Sequence, residues 1–272
     1  MKKCNLFFGV ILLSGIFLAA TSCSSKKDTL PDFVKNDMKL VWSDEFDGDS
    51  DEPNAANWNF KEGGHGWGNN EVQNYTSKRD NSYVSDGTLK IVAKKEGGKW
   101  TSARMVTQYK KAMTYGYIEF RAKVPAVKGS WPALWLLPEN NVYGTWPRSG
   151  EIDVMEASAN LWADKVCGNL HCLSGHGGNP IASCGKEIKK MDKKWHTYAV
   201  NWTTEGITWY YDGKVISEYR NPHNSEDNWM SWPYDQNFHI LMNVAMGGNL
   251  GGEIDKKAER AVMEVDYIRW YQ

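Results

Sequence analysis

The fold is decided by the segment Thr197-Tyr-Ala-Val-Asn-Trp202, which is followed by Ile207-Thr-Trp-Tyr-Tyr211 and then by Asp212-Gly213. Both runs fit alternation with a period of two, which is typical of strands that bury one face. Asp-Gly strongly indicates a two-residue hairpin turn, and Lys214 to Tyr219 continues the pattern beyond it. The segment therefore predicts consecutive antiparallel strands.

The same alternation recurs on both sides of this segment. It is found at Leu89–Lys94, Tyr115–Val124, Phe238–Ala245 and Ala261–Tyr271. No long amphipathic helix is evident, and Glu187–Lys194 is expected to form a short turn at most. Many strands separated by Gly, Pro and Asn favour an all-β fold, an antiparallel β-sandwich. We predict one such domain over residues 38–272, because the sequence has no internal repeat and no second linker.

The first residues of the chain predict export. Lys2 and Lys3 precede an apolar run from Leu6 to Ala20, and small residues then lead to Cys23. This order is typical of a secretory signal peptide, and the run is shorter than the about 20 residues that span a bilayer. A cysteine at its end resembles a bacterial lipoprotein signal, which implies that Cys23 becomes the acylated first residue.

This resemblance divides the N-terminal part of the chain in two. Residues 1–22 are expected to be a lipoprotein signal peptide, and residues 23–37 are expected to be a polar tether. The protein would then be exported and lipid-anchored at the bacterial outer membrane, with the cell surface as one location there. Ordinary secretion without a lipid at Cys23 is the alternative.

Charge and aromatic content limit the partners of the domain. The net charge is −1, with acids and bases interspersed, so we do not expect nucleic-acid binding. The chain has 14 Trp and 13 Tyr, and many of the Trp stand beside Gly, Pro or Asn. Rings that stack on the flat apolar faces of a ligand would explain this surplus. A monomer is expected.

Three cysteines remain in the domain, namely Cys167, Cys172 and Cys184. One disulfide is compatible with an exported protein and would leave an odd thiol. A zinc site is the alternative, but the gaps between these cysteines do not match the close paired spacing of structural zinc sites.

The chemical centre of the sequence is Gly150-Glu-Ile-Asp-Val-Met-Glu156. Side chains alternate along a strand, so Glu151 and Asp153 share one face. Regular alternation would place Glu156 on the other face, but one β-bulge near Val154-Met155 restores it to the same side. The pattern therefore predicts three carboxylates on one face, where their repulsion shifts pKa values apart.

The spacing of these carboxylates indicates their chemistry. The Cα atoms of Glu151 and Glu156 would lie about 13 Å apart at about 3.3 Å per residue. Inward-leaning side chains can bring the carboxyls to about 5–6 Å, which is the spacing of a retaining glycosidase. Asp153 lies between them and can share a proton with a neighbour.

Six motifs of the chain together resemble one enzyme family. They are Trp42–Gly48, Gly66–Glu71, Gly116–Lys123, Trp131–Trp135, Trp146–Glu156 and Val265–Tyr271. The chain resembles glycoside hydrolase family sixteen, in the laminarinase branch with the bulged ExDxxE motif. This resemblance implies a jelly roll of the concanavalin A-like type, with a concave substrate-binding sheet. It also implies that Glu151 is the nucleophile, Glu156 the acid/base and Asp153 the helper.

The resemblance also implies substrate-binding residues. Trp135 and Trp146 match tryptophans that flank the scissile bond, and Trp131 either lines the cleft or fills the core. His171 is expected on the leaving-group side. Asn243 is expected either to point at the cleft or to be satisfied inside the protein.

Further candidates lie on the rim and on a neighbouring strand. Trp67, Asn70 and Glu71 belong to a Gly-rich loop that either grips sugar hydroxyls or only forms a turn. Arg104 resembles a family arginine that donates to sugar hydroxyls, and a structural ion pair is its alternative role.

Catalysis is expected to need no cofactor, but relatives in the family often carry a structural calcium. The matching positions are Glu45, the carbonyl of Gly87, and Asp266. Calcium takes oxygen ligands, and these three supply few carboxylates.

The substrate is expected to be a β-1,3-containing glucan, either laminarin or mixed-linkage β-1,3/1,4-glucan, cut internally. A galactan or a host glycan on the same scaffold is the main alternative. A non-catalytic glucan-binding protein is less compatible with the sequence, because all three acidic residues are present. A transglycosylase would share the covalent intermediate and differ only in the acceptor.

Overall fold

The computed structural model describes residues 29–48, 50–161, 164–224 and 226–272. The predicted signal peptide and Cys23 lie outside these residues. The described residues form strands β1 (Leu40–Asp44), β2 (Asn59–Phe60), β3 (Asn74–Tyr75), β4 (Ser82–Ser85), β5 (Thr88–Glu96), β6 (Lys99–Ser102), β7 (Arg104–Val106), β8 (Ala112–Met113), β9 (Gly116–Lys123), β10 (Ser130–Pro138), β11 (Glu151–Ala157), β12 (Lys165–His171), β13 (Ala182–Glu187), β14 (His196–Trp202), β15 (Gly206–Tyr211), β16 (Lys214–Arg220), β17 (Phe238–Met246) and β18 (Arg260–Tyr271). The helices are α1 (Asp32–Asp37), α2 (Asn228–Ser231) and α3 (Gly248–Gly251), and Gly66–Gly68 forms a 3-10 turn.

These strands form two sheets, which we call the back sheet and the site sheet. The back sheet has the order β16-β15-β14-β9-β18-β5-β6-β3, with β1 pairing with β18 and β4 with β5. The site sheet has the order β13-β12-β11-β10-β17-β7-β2, with β8 pairing with β17. Pairing is antiparallel except between β3 and β6. The predicted all-β sandwich is therefore confirmed.

The segment that predicted the fold forms three consecutive strands of the back sheet. β14 pairs with β15, and β15 pairs with β16 around the turn at Asp212-Gly213. Both turn residues have positive φ, 50° and 72°, which a type I′ hairpin turn requires. The other predicted strands also form, and Glu187–Lys194 contains the end of β13 and a turn.

The apolar faces of the two sheets meet in one core. Trp202, Trp209 and Trp270 extend from the back sheet and are fully buried there, as expected for core tryptophans. From the site sheet, alternate residues such as Ile240 and Met242 enter the same core. The remaining residues of each site-sheet strand face the opposite side, so the alternation that builds the core also builds a functional face.

The structure corrects the predicted boundary between tether and domain. Residues 32–37 were expected to lie in the tether, yet they form α1, and Val34 is only 1% exposed. Val34 packs with Tyr117 and Tyr271 of the back sheet, so the packed domain begins before residue 38. An apolar contact of this kind favours a docked segment over a solvated one. Within the described ranges, no helix is long and apolar enough to cross a membrane.

Candidate active site

The predicted β-bulge of β11 is confirmed. Asp153 pairs with Asn169 of β12 and Glu156 pairs with Cys167, with a register shift between the two pairs. Val154 and Met155 are both fully buried in the core, so two successive residues point inward. Glu156 consequently returns to the face that carries Glu151 and Asp153, as the parity of a bulged strand requires.

Two aromatic residues of the back sheet hold the bulge from inside the core. Trp209 donates from Nε1 to the carbonyl oxygen of Asp153 at 2.9 Å, and Tyr211 donates from its hydroxyl to the carbonyl oxygen of Val154 at 3.0 Å. A bulge disturbs the hydrogen-bond ladder, so its carbonyls need donors from elsewhere. Gly168 permits this approach, because a Cβ there would collide with the Trp209 indole.

Glu151 and Asp153 are tied to each other and to their neighbours. Trp146 donates from Nε1 to Glu151 Oε2 at 2.6 Å. His171 Nε2 lies 3.1 Å from Asp153 Oδ2, and the Asp153 and Glu151 side chains are hydrogen-bonded. His171 therefore contacts the central carboxyl of the cluster.

Glu156 receives one donor on each carboxyl oxygen. Trp131 donates from Nε1 to Oε1 at 2.8 Å, and Asn169 donates from Nδ2 to Oε2 at 2.7 Å. Trp131 is thus on the functional face, which decides between its two expected positions. Asn169 was not among the predicted residues. Strand parity could have found it, because it stands two residues before His171 and shares its face.

Burial raises the pKa of all three carboxyls. The pKa of Glu151 rises to about 8, mainly through burial and then through repulsion by Asp153. The pKa of Asp153 rises well above its ordinary value through burial and the nearby Glu156. Burial also raises the pKa of Glu156, while the donors Trp131 and Asn169 act in the opposite direction. The cluster therefore holds protons at neutral pH that exposed carboxyls would release.

Glu71 and Asn243 belong to a buried network beside the cluster. Gln73 donates to Glu71 Oε2 at 2.6 Å, and the Tyr75 hydroxyl donates to the same oxygen at 3.2 Å. Asn243 donates to the Tyr75 hydroxyl at 3.0 Å and accepts from Trp135 Nε1 at 2.8 Å. Asn243 is thus satisfied inside the protein, and Glu71 orients this network from the rim.

Arg104 lies between two indoles on the same side. Its guanidinium is 4.6 Å from the ring of Trp67 and 4.6 Å from the ring of Trp135. Its Nε is buried and has no hydrogen-bond partner in the described part of the chain. Asn70 instead has φ 58° and donates from Nδ2 to Asn249 Oδ1 at 2.8 Å, so its contact is to α3.

The predicted calcium ligands do not fit a cation site as they are placed. Glu45 accepts from Nε of Arg269 at 2.8 Å and from its Nη2 at 2.9 Å. Asp266 forms an ion pair with Arg121. Gly87 lies in the turn between β4 and β5. Calcium needs six to eight oxygen ligands, and here the guanidinium groups of Arg269 and Arg121 are already paired with the carboxylates of Glu45 and Asp266.

Among the described residues, Cys167, Cys172 and Cys184 form no disulfide, and all three are free and buried. Among the described residues, the group of side chains with metal-ligand geometry is Glu151, Asp153 and His171, whose ligand atoms lie within 4.8 Å of one another. It contains no cysteine, so the zinc alternative has no support from this cluster. The same contacts are explained by hydrogen bonds between a histidine and two carboxyls.

Comparisons with known proteins agree with this geometry. The family model described as "Glycosyl hydrolases family 16" matches residues 69–269. A β-glucanase of Rhodothermus marinus is 39% identical over 277 residues, covering 96% of this chain and 93% of that protein. The laminarinase structure from Rhodothermus marinus superimposes with a TM-score of 0.82 at 39% identity, covering 86% of this chain and 97% of that one. The laminarinase structure from Flavobacterium sp. UMI-01 gives a TM-score of 0.79 at 39% identity, covering 86% of this chain and 100% of the other. Sequence, fold and carboxylate cluster together lead to one identification: the chain is a member of glycosyl hydrolases family 16.

Proposed function

We propose that this protein is an endo-acting glycoside hydrolase that cuts β-1,3-containing glucans and retains the anomeric configuration. The observation that carries the proposal is the arrangement of three carboxyls on one strand face, with Trp146 bound to Glu151 and with Trp131 and Asn169 bound to Glu156. The names of the similar proteins, a β-glucanase and two laminarinases, support the glucan substrate.

Two glutamates divide the reaction between them. Glu151 attacks the anomeric carbon and forms a covalent glycosyl-enzyme, while Glu156 gives its proton to the leaving oxygen. Glu156 then takes a proton from water, which attacks the anomeric carbon and releases Glu151. Trp131 and Asn169 hold the two oxygens of Glu156, so the acid/base keeps one orientation through both steps.

Asp153 assists Glu151, the nucleophile. Because its pKa is raised well above the ordinary value, it keeps a proton that it can share with Glu151 across their hydrogen bond. A shared proton reduces the repulsion between two neighbouring carboxyls, which would otherwise oppose ionisation of Glu151. His171 fixes the other side of Asp153 at 3.1 Å.

Aromatic side chains beside the carboxyl cluster provide a surface on which the sugar rings of the glucan can stack. Trp146 is 49% exposed beside the nucleophile, and its ring can stack on a sugar face. Trp67, Arg104 and Trp135 form a stacked wall further along the same side. We assign this wall to the glycosyl residues on the far side of Glu151 from the leaving group.

The test is a product analysis on laminarin, barley β-glucan and agarose. We expect oligosaccharides from the two glucans, no products from agarose, and loss of turnover in Glu151→Gln and Glu156→Gln. Glu259→Gln, an exposed substitution, serves as the matched control. Cleavage of agarose alone would favour the galactan alternative, and glucan binding without products would indicate a binding protein. Products longer than the substrate would indicate transglycosylation.

We further propose that the protein is exported and anchored by a lipid on Cys23. The basic start, the short apolar run and the cysteine at its end support this proposal. The experiment is detergent partitioning of the wild type and of Cys23→Ala. The wild type should enter the detergent phase and the variant should remain in the aqueous phase, whereas equal membrane retention of the two would overturn the proposal.

A further inference from the structure

The first described residues of the chain run along the outer face of the back sheet, from one end of the sandwich to the other. The hydroxyl of Thr29 lies 3.0 Å from that of Thr197, and a Cβ on Gly213 would collide with the carbonyl oxygen of Thr29. Lys39 exchanges two backbone hydrogen bonds with Gln272, at the opposite end of the strands. The chain before Thr29 therefore leaves the domain at the end that carries the β15–β16 turn, which we call the hairpin end.

A concentration of positive charge lies at the same end. Residues 186–194, which we call the lysine loop, lead from the end of β13 towards β14. The lysines of this loop are all exposed, and they are Lys186, Lys189, Lys190, Lys193 and Lys194. The loop also contains two acidic residues, Glu187 and Asp192, so its net charge is +3. The whole chain has a net charge of −1, so this excess of positive charge is a local property of the hairpin end.

The lysine loop is fixed beside the point where the chain leaves the domain. Met191, in the middle of the loop, is fully buried in the core. His196 follows the loop, and its Nδ1 lies 2.8 Å from Asp212 Oδ2 in the hairpin turn. The next residue is Thr197, which contacts Thr29. The loop, the hairpin and the exit of the chain therefore form one continuous surface.

Most lysines of the loop have no role inside the domain. Lys189 Nζ lies 3.7 Å from Glu187 Oε1, and both side chains are exposed. The other four lysines form no ion pair within the parts of the chain that the structure describes. Like charges crowded on one loop repel each other, so they do not favour the fold. Such a surface is suited to a partner that carries negative charge.

The length of the chain before Thr29 indicates where this partner is found. Five residues separate Cys23 from Thr29, and Lys26 and Lys27 are among them. A chain spans at most about 3.6 Å per residue, so a lipid on Cys23 would lie within about 20 Å of Thr29. A connection this short would keep the hairpin end next to the membrane, at a high effective concentration of headgroups.

We propose that the lysine loop and the exposed Lys214 of the hairpin form a docking surface for an anionic lipid membrane. The proposal rests on the lipid anchor proposed at Cys23. Anionic headgroups attract lysines that approach within about a Debye length. The domain then stands with its strand ends on the membrane. The glucan path crosses the strands of the site sheet, so it runs parallel to the membrane, and a long chain can pass along it without meeting the lipid.

The test measures binding to vesicles of phosphatidylcholine with and without phosphatidylglycerol, by cosedimentation at low and high salt. The protein is the chain from Ser24 to Gln272, which keeps every described residue but lacks the signal peptide and Cys23. We expect binding to the anionic vesicles alone, weakened by salt. Lys193→Gln/Lys194→Gln should weaken this binding about thirtyfold, which corresponds to about 1 kcal/mol for each lysine, and should leave glucan turnover unchanged.

Lys39→Gln/Arg220→Gln is the matched control, because it removes two exposed positive charges at the opposite end of the strands. It should bind anionic vesicles like the wild type. Equal weakening in both double variants would overturn the proposal, because net charge alone would then decide binding. Equal binding to neutral and anionic vesicles would also overturn it, and so would binding to dextran sulfate without binding to anionic vesicles.

The anchor and the docking surface can be judged separately. Detergent partitioning of the full chain and of Cys23→Ala tests the anchor, whereas the vesicle experiment uses protein that carries no lipid. An anchored protein whose domain does not bind anionic vesicles would overturn the docking surface alone. Vesicle binding that depends on Lys193 and Lys194 in a protein without a lipid would support the surface and overturn the anchor alone.

Discussion

Trp209 donates from Nε1 to the carbonyl oxygen of Asp153 at 2.9 Å, so a core residue of the back sheet fixes the catalytic strand of the site sheet. The side chain of Asp153 lies in the carboxyl cluster while its carbonyl is held from the core. Tyr211 holds the next carbonyl, that of Val154, in the same way. The position of Glu156 therefore depends on residues in the other sheet.

This relationship predicts that Trp209→Phe damages both stability and catalysis. The substitution leaves a buried carbonyl without its donor, which should lower the free energy of unfolding by about 1–3 kcal/mol. It also loosens the bulge, so kcat should fall more than KM changes. Chemical denaturation and steady-state kinetics, at a temperature well below unfolding, measure the two effects.

Trp270→Phe is the matched control, because Trp270 donates from Nε1 to the carbonyl oxygen of Tyr115 at 2.8 Å, away from the bulge. It should lose a similar free energy of unfolding while keeping kcat. If both folded variants lost kcat equally, the bulge would not depend on Trp209.

A second prediction concerns Asn169. Its amide donates to Glu156 and favours the ionised carboxylate, so Asn169→Ala should raise the pKa of Glu156. Because Glu156 must be protonated to act as the acid, the alkaline limb of the kcat/KM profile should move to higher pH. Trp131→Phe removes the donor to the other oxygen and should shift the limb in the same direction. An alkaline limb that stays in place in both variants would show that these donors do not tune the acid.

A third prediction follows from the raised pKa of Glu151. Between its ordinary value of 4.5 and about 8, the folded protein holds a proton that the unfolded chain has released. The contribution of this group to the free energy of unfolding is therefore lost as pH rises through that window. Glu151→Gln cannot ionise, so it does not lose stability in this window. Between pH 5 and pH 8 its free energy of unfolding should gain about 1–3 kcal/mol relative to that of the wild type.

Denaturation of the two proteins at a series of pH values measures this difference. Glu259→Gln, an exposed glutamate, should follow the wild type throughout. A wild-type stability that rises in parallel with the Glu151→Gln variant from pH 5 to pH 8 would mean that the pKa of Glu151 is not raised.

A fourth prediction concerns calcium. Because Glu45 and Asp266 are paired with Arg269 and Arg121, we expect EDTA to leave the melting temperature unchanged. A ligand that binds only the folded state would raise it, so removal of a bound calcium would lower it. If EDTA lowered the melting temperature and added calcium restored it, calcium would bind at these carboxylates in place of the arginines.

The sequence predicts the fold and the centre of the site well, because both rest on strand periodicity. The Asp212-Gly213 turn is a local property of its own segment, and so is the parity of Glu151, Asp153 and Glu156. The bulge near Val154-Met155 follows from the same count and is present in the structure.

The contacts that join distant segments could not be predicted in this way. Trp209 and Asp153 are far apart in sequence, and only the packing of two sheets brings the indole to the carbonyl. The donor role of Asn169 depends on register between β11 and β12, which alternation alone does not fix. The docking of Val34 was missed because apolar and charged residues alternate irregularly around it, and only the folded back sheet shows that Leu30, Phe33 and Met38 pack beside it.

The central claim is that the bulge presents Glu151 as nucleophile and Glu156 as acid/base on one face. Trapping the glycosyl-enzyme with a 2-fluoro β-glucanase inactivator, followed by peptide mass spectrometry, tests it most directly. We predict a single glycosyl adduct on Glu151, with slower release of that adduct in Glu156→Gln, which lacks the base that activates water. An adduct on Glu156 or Asp153, or complete inactivation with no covalent adduct, would contradict the account.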